Sequence, residues 1–385
     1  MKRIYLDYAA TTPVDPRVVK AMMPYYTKEF GNPASLHSFG VEALEVLRKS
    51  RDIVAKALNA ESGEIIFTSS ATECNNTAIK GVAFANKKKG KHILVSSIEH
   101  DCVLDSAAWL AKNGFEVEKL GIDKNGMVDP KEVEKKIRKD TILVSVMHAN
   151  NEIGTIQPVE EIGAICKKNG VYFHTDAAQT FGKIPVDVKK MNVDLLTASS
   201  QKMYGPKGVA CLYIKRGTII DPLLHGGGQE LGRRSSTVNV VGIVGFAKAV
   251  ELCMKEMKTE SKRMIKMRDR IIKTVLKQIP DSHLNGDPKK RLPNNVNVRF
   301  SFVEGESILF QLDALGIAVS TASACSSPKL EPSHVLMAMG LRHEEAHGSL
   351  RVSLGRFTTD KEVDYLIKVL PGIIKRLREI SPHKI

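Results

Sequence analysis

Short apolar runs alternate with amphipathic stretches through the middle of this 385-residue chain, and this alternation limits the possible folds more than any other feature. We predict strands at residues 64–67, 92–96, 141–147, 171–173, 194–198 and 208–214. Helices are predicted at 41–58, about 72–87 and 157–168. Strands that alternate with helices at this spacing are typical of a mainly parallel sheet covered on both faces. The sequence therefore predicts an α/β fold.

The pattern changes after residue 240. A long, lysine-rich amphipathic helix, or a pair of helices, is predicted over 241–279. Beyond it we predict strands at 295–302, 318–320 and 349–354 and helices at 306–315, 331–340 and 359–379. This order is typical of a small α+β domain. We predict an N-terminal arm at 1–15 that packs with the small domain, a large domain at 16–255 and a small C-terminal domain at 256–385.

Composition excludes several classes of protein. The net charge is +14, but the lysines are spread over predicted helix faces and aromatic residues make up only 5% of the chain, so we expect no direct binding of nucleic acid. No apolar run approaches the roughly 20 residues that span a membrane, and the start lacks the apolar core of a signal peptide. We therefore expect a cytoplasmic protein. None of the six cysteines forms a C-x-x-C pair, which argues against a structural zinc site.

Two clusters of small polar residues follow the predicted strands at 171–173 and 194–198. The first offers Asp176 and Gln179, and the second offers Ser199, Gln201 and Lys202. The carboxyl ends of parallel strands face one crevice, so these side chains are expected to meet there. A lysine that holds an aldehyde as a Schiff base and a carboxylate that pairs with a pyridine nitrogen are what pyridoxal phosphate (PLP) requires. For each residue taken alone, a solvated surface position explains it as well.

Other candidate ligands lie at the same expected edge of the sheet. Thr72 is a plausible N-cap, and the amides of Ala71 and Thr72 at a helix start would hold a phosphate. His100 and Asn151 follow predicted strands, and a histidine ring there either stacks on a pyridine or serves only as a loop hydrogen-bonder. Asn32 and His37 lie in a turn-rich loop, which explains them equally well. The glycine-rich, basic loop 225–239 suits an anion but lacks the P-loop spacing.

Ten stretches of the sequence together resemble the cysteine desulfurases of the NifS/IscS type, in the class-V aminotransferase family of fold-type-I PLP enzymes. They are YLDYAATTPVDP, FGNPASLH, TSSATECNN, IEHDCVLD, NNEIGTIQP, HTDAAQTFGK, SSQKMYGPKG, HGGGQELGRRSSTVN, SACSSPKLEPSHVL and LRVSLGRFT. The resemblance covers nearly the whole chain. It implies a large domain with a mainly parallel seven-stranded sheet and a small α+β C-terminal domain.

The resemblance also implies a role for each candidate residue. Lys202 would carry the Schiff base, Asp176 would pair with the pyridine nitrogen, Gln179 would bond the phenolic oxygen, and His100 would stack on the ring and move protons. The phosphate would be surrounded by Ala71, Thr72, Ser199 and Gln201, with Thr237 from a second subunit. The substrate would be oriented by Asn32, Asn151 and Arg351, whose guanidinium would grip its carboxylate. Cys325 would be the nucleophile.

The implied reaction converts L-cysteine to L-alanine and leaves a persulfide on Cys325. The implied protein is a homodimer. It would pass sulfur to an iron–sulfur scaffold protein and to acceptors in tRNA thiolation, and Cys325 would contact a cluster or the persulfide acceptor. No resident metal is expected, because His174 and Asp176 share a strand face without a third ligand. The segment SSPKLEPS resembles the branch with an extended loop.

Two positions depart from the family pattern. Gln201 and Gln229 stand where the family commonly has histidine, and Gln201 can still donate a hydrogen bond to phosphate but cannot carry charge. A selenocysteine lyase and a class-V aminotransferase are the alternative enzymes, and Cys325 argues against the aminotransferase because aminotransfer needs no such thiol. A catalytically silent sulfur-protein scaffold is the alternative outside enzymes, and the intact set of candidate residues argues against it.

Overall fold

The structure, a computed structural model, describes residues 3–321 and 332–381. The strands are β1 (Ile4–Tyr5), β2 (Ile65–Thr68), β3 (His92–Ser96), β4 (Glu116–Leu120), β5 (Thr141–Ser145), β6 (Tyr172–Asp176), β7 (Leu195–Ser199), β8 (Ala210–Ile214), β9 (Ser282–Leu284), β10 (Asn295–Phe300), β11 (Ile317–Ala318) and β12 (Ser349–Ser353). The helices are α1 (Pro16–Met22), α2 (Pro24–Thr27), α3 (Ser38–Leu58), α4 (Ala71–Asn86), α5 (Asp101–Lys112), α6 (Pro130–Lys136), α7 (Val159–Asn169), α8 (Val240–Gln278), α9 (Gly305–Ala314), α10 (His334–Ala338), α11 (His343–His347) and α12 (Asp360–Ile380).

Among the described residues, seven strands form the main sheet, in the order β2-β8-β7-β6-β5-β3-β4. The five strands from β7 to β4 are parallel, whereas β8 runs antiparallel to both of its neighbours, β2 and β7. Leu195 and Leu196 are adjacent on β7 but lie in different hydrophobic clusters, because side chains alternate across a strand and both faces are covered. The predicted mainly parallel α/β sheet is confirmed.

Several short elements, among them β9, α6 and α11, were not predicted, and three other differences have a clear physical reason. The edge strand β4 was not predicted, because its sequence EVEKL is mostly charged and only Leu120 is fully buried. Helix α4 is capped by Ser70 rather than Thr72: the Ser70 Oγ accepts a hydrogen bond from the backbone N–H of Glu73 at 3.1 Å. Helix α10 is shorter than the predicted 331–340, and residue 331 itself lies outside the described residues.

A second core lies beyond the main sheet and is reached along α8, which is one continuous helix of 39 residues. The first part of α8 packs on the large sheet through Phe246 and Val250. Its last part, from Met264, packs with β10, β12, α9 and α12, and Ile4 and Leu6 of the N-terminal arm belong to this second core. The boundaries at residues 15 and 255 stay predictions. Within the described residues, no helix is long and apolar enough to cross a membrane.

The N-terminal arm connects the two cores. β1 pairs in parallel with β11, and Asp7 forms a bridge with Ser353 at the end of β12. Further along, Thr12 donates a backbone hydrogen bond to the carbonyl of Gln201, which lies just after β7. The arm therefore lies along the edge where the carboxyl ends of the parallel strands meet the second core.

Candidate active site

A cavity lies at the carboxyl ends of β6 and β7, beside the first turns of α4 and α5. Asp176 is the last residue of β6, and Ser199 ends β7 just before a 3₁₀ turn at Ser200–Lys202. Arg351 enters from β12. Ten of the predicted site residues line this cavity: Ala71, Thr72, His100, Asn151, Asp176, Gln179, Ser199, Gln201, Lys202 and Arg351. Parallel strands place their carboxyl ends at one edge, which explains the convergence.

Asp176 is held as a fixed carboxylate. Its Oδ2 accepts a hydrogen bond from Asn75 Nδ2 at 2.7 Å, and its Oδ1 accepts one from the backbone N–H of Ala178 at 2.8 Å. The side chain is buried, yet it lines the cavity. A carboxylate held in this way suits a protonated ring nitrogen. The sequence did not single out Asn75, which fixes this carboxylate.

Lys202 is held by the N-terminal arm. Its Nζ donates hydrogen bonds to the backbone carbonyls of Ala9 at 2.9 Å and Ala10 at 2.5 Å. Ala9 and Ala10 also line the cavity. These two carbonyls fix the position of the amine at the wall of the cavity. The sequence offered no signal for this contact, because two alanines carry no polar side chain.

The side-chain amide of Gln179 has a fixed orientation. Its Nε2 donates to the Ala9 carbonyl at 2.9 Å, while its Oε1 accepts from Lys183 Nζ at 3.2 Å. Lys183 also donates to the Gln179 backbone carbonyl at 3.0 Å. Burial, with the nearby charge of Lys202, lowers the pKa of Lys183 to about 7. Lys183 therefore presents the donor end of the Gln179 amide to the arm and the cavity, a role that the sequence did not reveal.

The first turn of α4 has backbone amides that suit an anion. Within the described part of the chain, the backbone N–H groups of Ala71 and Thr72 have no hydrogen-bond acceptor, because a helix leaves its first amides unpaired. These amides lie at the positive end of the helix dipole, and both residues line the cavity. Ser199 and Gln201 line the same cavity, with Gln201 Oε1 accepting from Thr11 Oγ1 at 3.2 Å.

His100 caps helix α5. The backbone N–H of Cys102 donates to His100 Nδ1 at 3.2 Å, so Nδ1 is an acceptor and the ring proton lies on Nε2. The Cys102 thiol also lines the cavity, and Asn75 Nδ2 donates to its Sγ at 3.2 Å. Burial, with the charge of Asp176, raises the pKa of Cys102 to about 12. Cys102 therefore stays a neutral thiol at neutral pH and is a poor nucleophile.

Arg351 brings a buried positive charge to the other side of the cavity; it is 2% exposed. Its Nη2 donates to Asp7 Oδ1 at 2.9 Å, and its Nη1 donates to the backbone carbonyl of Asn151 at 3.3 Å. Its Nε has no partner among the described residues. A guanidinium that still has an unpaired N–H donor suits a carboxylate ligand. The sequence prediction did not assign Asp7 to the site.

Three predicted site residues are not among those that line the cavity. Asn32 is exposed, and its Oδ1 accepts from the backbone N–H of Ala34 at 3.0 Å. Thr237 lines a neighbouring cavity together with Ser69 and Arg234. Cys325 lies outside the described residues.

The remaining candidates have ordinary structural contacts. His37 caps α3, since its Nδ1 accepts from the backbone N–H of Gly40. Gln229 Oε1 accepts from the backbone N–H of Ser236 at 3.2 Å. Both ring nitrogens of His174 are engaged, Nδ1 with Ser145 Oγ at 2.8 Å and Nε2 with Thr197 Oγ1 at 3.2 Å.

The polar groups around the cavity fit PLP. A fixed carboxylate, an amine, a histidine ring and a helix start with unpaired amides are the groups that a pyridine ring, an aldehyde and a phosphate require. They come from Asp176, Lys202, His100 and the Ala71–Thr72 amides of the same cavity.

Comparisons with known proteins agree with this arrangement. The family model Aminotransferase class-V matches residues 4–366. Cysteine desulfurase IscS 1 of Archaeoglobus fulgidus is 57% identical to this chain, over 98% of the chain and 98% of its own length. Cysteine desulfurase IscS of Methanosarcina thermophila is 55% identical, over 99% of the chain and 94% of its own length. A solved structure of a NifS-like protein has a TM-score of 0.92 at 41% identity and covers 98% of this chain and 100% of its own.

Proposed function

Because the chain belongs to the IscS-type cysteine desulfurases of the class-V aminotransferase family, we propose that it converts L-cysteine to L-alanine and leaves the sulfur as a persulfide on Cys325. The observation that carries this proposal is the meeting of Lys202, Asp176, His100 and Arg351 in one cavity. These four residues come from distant parts of the sequence, and together they supply the groups that amino-acid chemistry with PLP requires.

The family is PLP-dependent, and we infer that this cavity holds the cofactor. Asp176 would hold the ring nitrogen, Lys202 the aldehyde, Gln179 the phenolic oxygen and the first turn of α4 the phosphate. When bound, PLP supplies an electron-withdrawing ring that makes the Cα proton of an amino acid acidic. Gln201 would contact the phosphate as a neutral donor where the family commonly has histidine.

The substrate is oriented by charge. Arg351 binds the α-carboxylate of L-cysteine, with Asn151 beside it. Support comes from the burial of Arg351 and from its unpaired Nε, since a buried guanidinium favours an anionic ligand. This contact places Cα of the substrate near Lys202, which lines the same cavity.

Two side chains move protons. Lys202 Nζ takes the proton from Cα, and the Ala9 and Ala10 carbonyls orient that amine. His100 acts at Nε2, because its Nδ1 is occupied by the backbone N–H of Cys102. The protons that complete the methyl group of alanine and free its amine come through these two groups.

The sulfur step belongs to Cys325. Its thiolate attacks the substrate sulfur, forming an S–S bond, while the bond between Cβ and sulfur breaks and its electron pair stays with the carbon skeleton. Cys325 is five residues beyond Ser320, whose backbone pairs with Arg351.

The proposal includes a homodimer. Large apolar side chains are exposed in two stretches, among them Leu36, which is 98% exposed. The stretches comprise Val19, Met23, Tyr26, Phe30, Leu36, Phe39 and Val41, and Ile219, Leu223, Leu224 and Leu231. Exposed apolar surface of this kind is typical of a protein interface. Asn32 and Thr237 lie in or beside these stretches, so a second copy would bring Thr237 to the phosphate and close the site.

The sulfur acceptor is also part of the proposal. An iron–sulfur scaffold protein would receive the persulfide sulfur, and an acceptor in tRNA thiolation would use the same persulfide. We propose a cytoplasmic location, where thiols such as Cys325 stay reduced.

The test combines colour and products. The purified protein is loaded with PLP and given L-cysteine, and sulfide and alanine are measured together. A yellow protein that releases both in equal amounts in the presence of a reductant supports desulfuration. A yellow protein that releases neither points to another amino-acid substrate or to a missing activator, and a protein that cannot take up PLP contradicts the assignment of the cavity. A parallel assay with L-selenocysteine separates desulfurase from selenocysteine lyase.

A further inference from the structure

Asp7 forms an ion pair with the arginine that faces the cavity. The distance between Asp7 Oδ1 and Arg351 Nη2 is 2.9 Å, and within the described residues no other carboxylate forms a salt bridge with Arg351. The Asp7 side chain is 18% exposed, whereas that of Arg351 is 2% exposed. Asp7 itself is not among the residues that line the cavity. The pair therefore joins the N-terminal arm to an arginine that lines the cavity.

The backbone holds Asp7 in place independently of its carboxylate. The carbonyl of Asp7 accepts hydrogen bonds from Tyr5 Oη at 3.0 Å and from the backbone N–H of Ala10 at 3.1 Å. Asp7 also forms a bridge with Ser353. The position of the side chain is therefore set by main-chain contacts, and the carboxylate is available for one task, the charge of Arg351.

A buried arginine needs a counter-ion. Taking a charge out of water costs several kcal/mol unless an opposite charge is close. In the free enzyme Asp7 supplies that charge. Glu152, the other carboxyl near Arg351, accepts a hydrogen bond from Ser333, and burial raises its pKa to about 7, so it is a weaker counter-ion at neutral pH.

We propose that Asp7 sets the affinity of the site for amino-acid carboxylates by neutralising Arg351 in the free enzyme. The inference rests on the proposed role of Arg351 as the carboxylate site. An incoming carboxylate then meets an arginine whose charge is already balanced, and it adds a second negative charge nearby. Asp7 therefore weakens the binding of substrate and product alike.

Weakening of this kind has a defined kinetic effect. The carboxylate of L-cysteine and that of L-alanine are the same group and remain unchanged through the reaction. An interaction that acts equally on bound substrate and transition state changes KM and leaves kcat unaltered. Asp7 thus raises KM and speeds the departure of L-alanine, without taking part in the bond-breaking steps.

The test compares Asp7→Asn with Asp15→Asn in the PLP-loaded protein. The amide introduced by Asp7→Asn keeps an oxygen that accepts from Arg351 but removes the charge. Asp15 lies on the same arm and pairs with Arg17 at 2.8 Å and Arg356 at 2.7 Å, away from the cavity, so its variant controls for loss of an arm ion pair. The dissociation constant of L-alanine is measured from the change in the visible spectrum, together with KM and kcat for L-cysteine.

We expect Asp7→Asn to bind L-alanine about tenfold more tightly, the change that corresponds to about 1.4 kcal/mol, and to lower KM with little change in kcat. Ligand-free Asp7→Asn should also melt at a lower temperature, with a larger rise on adding L-alanine. Asp15→Asn should leave the L-alanine affinity unchanged. Unchanged or weaker binding of L-alanine to a folded, PLP-loaded Asp7→Asn protein would overturn the inference.

A second pair of variants separates this inference from the proposed function. Arg351→Ala should lose most L-alanine binding, and adding Asp7→Asn to it should then have no effect. If Arg351→Ala binds L-alanine normally, the proposed carboxylate site is wrong. If it loses binding while Asp7→Asn alone does not tighten it, only the role of Asp7 is wrong.

Discussion

Glu99 is a buried carboxyl group whose ionisation should be visible in the stability of the whole protein. The side chain is 0% exposed. Its Oε1 accepts hydrogen bonds from Ser96 Oγ and from the backbone N–H of Met147, both at 2.6 Å, while its Oε2 has no partner among the described residues. Burial outweighs these two donors and raises the pKa of Glu99 from 4.5 to about 8.

The sign of the effect follows from proton binding. Between pH 4.5 and about 8 the folded protein keeps a proton on Glu99 that the unfolded chain has lost, so the free energy of unfolding falls as pH rises. Because one pKa unit corresponds to about 1.4 kcal/mol, the ionisation of Glu99 lowers the free energy of unfolding by about 4–5 kcal/mol at most. Glu99→Gln keeps an acceptor and a neutral donor but cannot ionise, and it should remove this dependence.

The assay is urea unfolding of the PLP-loaded wild-type and Glu99→Gln proteins at pH 5 and pH 8. We expect the stability of Glu99→Gln relative to wild type to increase by about 3 kcal/mol from pH 5 to pH 8. Glu73→Gln is the matched control. Although burial alone would raise the Glu73 pKa, its hydrogen bonds to Arg234 and Ser69 lower it. Glu73 is therefore ionised at both pH values, and its variant should show an equal loss at both. One pKa unit corresponds to about 1.4 kcal/mol. If the stability of Glu99→Gln relative to wild type changes by less than about 1 kcal/mol between pH 5 and pH 8, the pKa of Glu99 is not raised as far as we infer, and the reasoning is refuted.

Three further predictions concern the site. Borohydride should attach PLP covalently to the wild-type chain but not to Lys202→Ala, as measured by mass spectrometry. Equal attachment of PLP to both proteins would show that Lys202 does not carry the Schiff base. Cys325→Ser should keep PLP but release no sulfide from L-cysteine, and wild-type release would exclude Cys325 as the nucleophile. Asn75→Ala removes a donor to the Asp176 carboxylate and should weaken PLP binding about tenfold, because such hydrogen bonds contribute about 1.5–3 kcal/mol. Equal retention of PLP on dialysis would contradict that prediction.

The sequence predicted the centre of the site because its residues lie where strands end. Asp176 directly ends β6 and Lys202 follows β7 by three residues, and the rule that parallel strands share a carboxyl edge brings them together without further information. The same rule placed Asn151 and His100. Local pattern also predicted the helical character of residues 241–279, because apolar residues recur there at helical spacing, but it did not decide between one helix and a pair of helices.

Contacts between distant segments could not be predicted in this way. Ala9 and Ala10 hold Lys202 through backbone carbonyls, which have no sequence signature, across more than 190 residues of chain. The edge strand β4 was missed because an edge strand exposes charged side chains and lacks the apolar pattern of a central strand. The cap of α4 shifted by two residues because Ser70 and Thr72 are both good N-caps, and only the backbone geometry chooses between them.

The N-terminal arm links the groups that the proposed reaction needs. Its carbonyl at Ala9 accepts from both Lys202 and Gln179, and its carboxylate at Asp7 pairs with Arg351. Lys202 and Gln179 follow strands of the main sheet, whereas Arg351 lies on β12 in the second core. Neither core alone therefore fixes the distance between Arg351 and the other two residues. Ile4 and Leu6 anchor the arm in the second core, so Asp7 and Ala9 lie on one segment that this core holds. The spacing between the proton-transferring amine and the carboxylate site therefore depends on an extended segment, and variants that displace the backbone of Ala9 and Ala10, unlike side-chain changes at Asp7 or Asp15, should alter substrate binding and proton transfer jointly.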